Sequence, residues 1–165
     1  MTRYDKFPCV HIRGHQGAAV QGYDAVIARI QEKICAAKSD RFALVIDCYP
    51  GADLEEIRTQ LIDPLKPGTV ILTETDVLKS AEEITARVRD RMTDDRVFGQ
   101  MCLENYIDLV DANKLCDVQN KVLSAAGLVV VYGAGARLIA EPDLYVYADM
   151  APLGAPVPFP QEPPA

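Results

Sequence analysis

Tryptophan is absent from this chain, phenylalanine occurs four times and histidine twice. Any core must therefore be mainly aliphatic. His11 falls in a strand-like stretch and His15 in the loop after it, so they cannot form a zinc pair on one helical face. Among Cys9, Cys35, Cys48, Cys102 and Cys116 there is no C-x-x-C pair, which removes the zinc-knuckle and thioredoxin-type motifs. These thiols are expected to be free and to behave as small hydrophobes. No lysine occurs between Lys6 and Lys33, so the early glycine-containing loop lacks the Gly-Lys-Ser/Thr of a phosphate-transferring P-loop. No apolar run approaches the length of a membrane span, and Met1–Lys6 is polar where a signal peptide would need an apolar stretch. No basic patch offsets the net charge of −7, so neither a nucleic acid nor a membrane is expected as a partner. The expectation is a reduced, cytoplasmic, soluble protein.

The 165 residues suit one domain, and 49% hydrophobic with 25% charged residues is an ordinary globular balance. Strand and helix patterns alternate along it. Cys9–Ile12, Phe42–Ile46, Thr69–Leu72, Leu128–Val131 and Leu144–Tyr147 read as five strands. Between them, apolar spacing predicts helices from Gly22 to Ala37, from Asp53 through Ile62, and from Ser80 to about Met92. Two further helical pieces are expected at Leu103–Val110 and Ala112–Ala125, with Gly127 as the stop. Asp53 with Glu56, and Ser80 with Glu83, have capping-box spacing. The predicted fold is a single three-layer α/β domain over residues 1–150, with a mainly parallel sheet of about five strands. Residues 151–165, with six prolines in fifteen, read as an extended, poorly ordered tail.

Leu128–Val131 runs into Tyr132-Gly133-Ala134-Gly135-Ala136-Arg137, a partial glycine fingerprint whose third glycine is replaced by Leu138. Two readings apply. Gly133 and Gly135 could expose backbone amides to an anion with Arg137 adding charge, or the loop could be a tight turn needing small residues. Arg13-Gly14-His15-Gln16-Gly17 sits where a P-loop protein would carry its phosphate cradle, making Arg13 and His15 ligand candidates. Asp47 ends the second predicted strand, at the edge where open α/β sheets bind ligands. Glu74 and Asp76 follow the third strand and could reach the same crevice; turn capping is the alternative.

Several separated blocks share a resemblance: Tyr4–Pro8, Asp47–Gly51, Thr93–Gly99, Val131–Ala136 and Tyr147–Met150. Together they resemble the N-terminal α/β domain of bacterial proteins labelled class I mannose-6-phosphate isomerase, which precedes a cupin barrel. The resemblance spans roughly Tyr4 to Met150 and implies a P-loop-kinase-like fold without a Walker A motif. It implies no cofactor in this chain, because the zinc ligands of that family belong to the cupin. A cupin domain or protein is then a possible partner. The expected function is binding of a phosphorylated small molecule, a sugar phosphate or nucleotide. A non-catalytic interaction or regulatory domain is the alternative, and a sugar-phosphate isomerase is the third.

Overall fold

The structure, a computed structural model, describes residues 13–15, 17–95 and 99–149. The expected strand at Cys9–Ile12 with His11, and the tail 151–165, lie outside the described residues. Among the described residues the sheet contains four parallel strands, β1 (Arg41–Cys48), β2 (Thr69–Leu72), β3 (Gly127–Gly133) and β4 (Leu144–Ala148), in the order β2-β3-β1-β4. Central strands β1 and β3 pair from Arg41 with Gly127 to Asp47 with Gly133. Val129, Val130, Val131, Leu44, Val45 and Ile46 are fully buried, as expected of strands covered on both faces.

Alternation along the strands sends side chains to two cores. On one face Phe42, Leu44, Ile46, Val130 and Tyr132 meet Ile30 of α1 (Tyr23–Ala37) and Ile57, Leu61 and Ile62 of the β1–β2 connection. That connection is a continuous helical rod of three pieces, α2 (Leu54–Glu56), a π-helical stretch (Ile57–Ile62) and α3 (Asp63–Leu65). Asp53 caps it by accepting from the Glu56 N–H. Pro64 lies inside the rod, and it has no N–H to return to the Gln60 carbonyl. The π stretch stands directly before that missing bond, with the Asp63 N–H reaching Arg58.

On the other face Val45, Ile71, Val129 and Val131 pack with Val77, Val110, Ile139 and Val122. Val122 lies on α6 (Ala112–Ser124), while Val77, Val110 and Ile139 lie in segments outside α4 (Thr73–Asp76), α5 (Ala81–Val88) and α6. The expected Ser80–Glu83 capping box is present in both directions, and the helix continues as a 3-10 turn over Arg89–Arg91. The expected helix at Leu103–Val110 is instead a coil leading into one 3-10 turn, Tyr106–Leu109. The reason is local. Val110 bridges Leu78, while Lys79 and Asp111 donate to Leu109 and Val77, pulling this backbone into strand-like pairing. Gly127 is likewise not a helix stop but the first residue of β3, at φ +75°. Cys48 is a buried free thiol, whereas Cys35, Cys102 and Cys116 are free thiols exposed at the surface.

Connections on opposite faces carry the chain in opposite directions, as right-handed crossovers require. From β1 the chain leaves along the first face to β2; from β3 it leaves along the second face to β4. Neighbours β1 and β3 therefore part at their carboxyl ends, which makes the gap between them the topological switch point. The loop leaving the central strand β1 is Tyr49–Asp53, whereas Arg13–Gly17 precedes α1. Among the described residues no helix is long and apolar enough to cross a membrane.

The two-sided burial of β1 makes its side chains the largest single contributors to the core. Ile46→Ala should cost about 2–5 kcal/mol in denaturant unfolding, because the site is enclosed by both the sheet and the helical rod. Ser80→Ala, losing only a surface cap, should cost about 0.5–2 kcal/mol.

Candidate functional site

Three strand ends converge at the switch point. Asp47 is the penultimate residue of β1, Glu74 follows β2 within α4, and Gly133-Ala134-Gly135 is the turn leaving β3. Gly133 lies at φ +114° and Gly135 at φ +72°, values that side-chain-bearing residues rarely adopt. The turn aims two consecutive amides inward. The Ala134 N–H donates to Glu74 Oε1 at 2.9 Å, and the Gly135 N–H donates to Asp47 Oδ1 at 2.9 Å. Both amides of the turn are thus taken up by the protein's own carboxylates.

The absence of Cβ atoms is a steric requirement here. A Cβ at Gly133 would run into the Glu74 carboxylate, and one at Gly135 into the Tyr106 ring. Tyr106 covers the turn from the 3-10 segment after α5. Its hydroxyl and Glu74 Oε2 are both buried without a hydrogen-bond partner among the described residues. Asp47 differs, since its second oxygen accepts from the Tyr145 hydroxyl at 3.2 Å. Below the turn, Thr73 donates to the Tyr132 carbonyl at 3.0 Å and locks the end of β2 to the end of β3.

Two carboxylates in a half-buried setting shape their neighbours. Burial foremost, then Glu74 and Asp47, push the Tyr106 phenol up to about 12. Burial also raises the Cys48 thiol, and Glu74 and Asp47 add to this, although a backbone hydrogen bond from Gly133 opposes it. A thiol held protonated is a poor nucleophile. The loop after β1 and the end of β4 also wall a cavity of about 430 Å³ lined by Tyr23, Ala52, Asp53, Glu56, Ala148 and Asp149. That is within the usual size of small-molecule sites.

Of the residues singled out from sequence, Asp47, Glu74, Gly133 and Gly135 come together. Asp76 does not join them; it accepts from the Leu72 N–H at 3.1 Å and from Thr75, which is the turn-capping role. Arg137 points along the β3–β4 connection, paired with Glu141 at 2.6 Å and donating to the Ala140 carbonyl. Arg13 and His15 are exposed on the segment before α1, outside this hydrogen-bond set. Tyr106 and Tyr145 were missed. Tyr145 carried a signal in its place between Leu144 and Val146, since period-2 alternation puts it on the opposite face. Among the described residues no group of three or more His, Cys, Asp or Glu is placed to hold a metal ion.

A family model described as a domain of unknown function, DUF8485, matches residues 22–153, and the chain belongs to that family. No curated protein and no solved structure matches it.

Gly135→Val should lower stability by about 2–4 kcal/mol, because it combines a positive-φ penalty with a collision against Tyr106. Tyr106→Phe, which removes an unpaired buried hydroxyl, should be neutral or stabilising at neutral pH. The raised Tyr106 value also fixes a pH dependence. A phenol whose folded value exceeds its unfolded value near 10 contributes fully below about pH 10, and this is lost as pH rises toward about 12. The unfolding midpoint of the wild type should fall over that window, and Tyr106→Phe should flatten the fall.

Proposed function

We propose that this domain binds a phosphorylated small molecule, a sugar phosphate or a nucleotide, at the carboxyl ends of β1, β2 and β3. One observation carries the reading: the topological switch point of the sheet coincides with the glycine turn whose amides are arranged for an anion. Asp47 and Glu74 add acceptors suited to the hydroxyls of a sugar or ribose. The finer form of the reading is a P-loop-kinase-like domain with Cys9–Ile12 as a fifth strand. The loop after the central strand, Cys48-Tyr49-Pro50-Gly51-Ala52-Asp53, then stands where the phosphate cradle would be, without its lysine and hydroxyl. Similarity to the mannose-6-phosphate isomerases rests on the sequence blocks alone. It is extended to the class of ligand and to a cupin partner, and not to isomerisation, whose zinc ligands in those proteins belong to the cupin barrel.

A second reading, an interaction module, draws on β4. This edge strand pairs only with β1 among the described residues, and its Tyr145 and Tyr147 are about half exposed, at 46% and 54%.

The discriminating measurement is a thermal-shift panel of sugar phosphates and nucleotides against the same sugars and nucleosides without phosphate. At ten times its dissociation constant a true ligand should raise the midpoint by about 3–5 °C, with the unphosphorylated partner well below it. Equal shifts from both members of each pair, or none from either, would count against the phosphate reading and in favour of the interaction module.

A further inference from the structure

We propose that the Glu74 carboxylate is a displaceable internal occupant of the glycine turn, and that a phosphate group binds by taking over the Ala134 amide as Glu74 leaves it. This rests on the reading of the switch point as a phosphate site and adds how that site is held when no ligand is there. The two carboxylates on the turn are unequal. Asp47 is satisfied at both oxygens, by the Gly135 N–H and the Tyr145 hydroxyl, and it sits on a central strand paired on both sides. Glu74 has one oxygen on the Ala134 N–H and the other buried without a partner, on a four-residue helix. Burying a charged oxygen unpaired offsets much of what its bonded twin contributes. Asp47 is therefore the fixed member of the pair and Glu74 the labile one.

Charge argues the same way. A phosphate entering beside both carboxylates would meet like charges at close range, so the anion and Glu74 exclude one another on the turn. Gly133 matters to this exchange because its missing side chain is what lets the Glu74 carboxylate lie against the turn at all.

The test titrates inorganic pyrophosphate into the full chain by calorimetry, with the Ala134 and Gly135 amide resonances followed by NMR. Wild type, Glu74→Ala and Glu74→Gln are compared. Removing the competing occupant should tighten binding about tenfold or more in Glu74→Ala, the worth of one charge-assisted hydrogen bond. Glu74→Gln, neutral but still an acceptor for the Ala134 N–H, should fall between the two. Glu74→Gln also carries the test should the alanine variant fail to fold, by binding more tightly than wild type. Equal affinity in all three, with both amides shifting, would overturn displacement and leave the site reading intact. Failure of pyrophosphate to move either amide in any of the proteins would overturn both.

Discussion

The parallel pairing of β1 with β3 is the constraint on which the rest of the molecule depends. Both strands are buried on both faces, so every backbone group in them must be satisfied by a neighbouring strand, and every connection must run over a face. Once β1 departs on one side and β3 on the other, their carboxyl ends cannot be bridged by a covering helix. The gap is filled by side chains. Asp47 and Glu74 do this by reaching across to the turn after β3, and Thr73 ties the adjacent strand ends through the Tyr132 carbonyl. The polar cluster is a product of the topology as much as of its own residues.

That origin explains why structural contacts and the proposed ligand site coincide here. Carboxylates bonded to backbone amides are strong, directional contacts, and they close the sheet at its weakest point. The same amides are the ones an incoming anion would use. A site assembled this way can hold itself together without a ligand, and the unequal satisfaction of the two acids decides which of them can give way.

Much of the fold was legible because it rests on local rules. The β-branched run Val129–Val131, the Ser80–Glu83 cap and the spacing of Val26, Ile27, Ile30 and Ile34 each report on their own element, and each element formed. The misses share a different cause. Leu103–Val110 has helical spacing, but pairing of Val110 with Leu78 and of Lys79 with Leu109 overrode it. Sequence put Glu74 and Asp76 on equal terms, yet one reaches a turn 60 residues away while the other caps its own backbone. Nothing local distinguishes them. The glycine loop read either as an anion nest or as a tight turn, and the carboxylates it meets could not be read at all, because the contact of Asp47 with Gly135 spans 88 positions. Tyr106 was hidden in the segment whose secondary structure was misread.

The fit of Gly133 against Glu74 has an evolutionary consequence. Two positions on different elements share one small volume, so neither can change freely while the other stays as it is. A side chain at position 133 would push the Glu74 carboxylate out of its place against the turn and leave the Ala134 amide in need of another acceptor. In this chain the two positions thus act as one unit, since any side chain at residue 133 changes which acceptor the Ala134 amide can find.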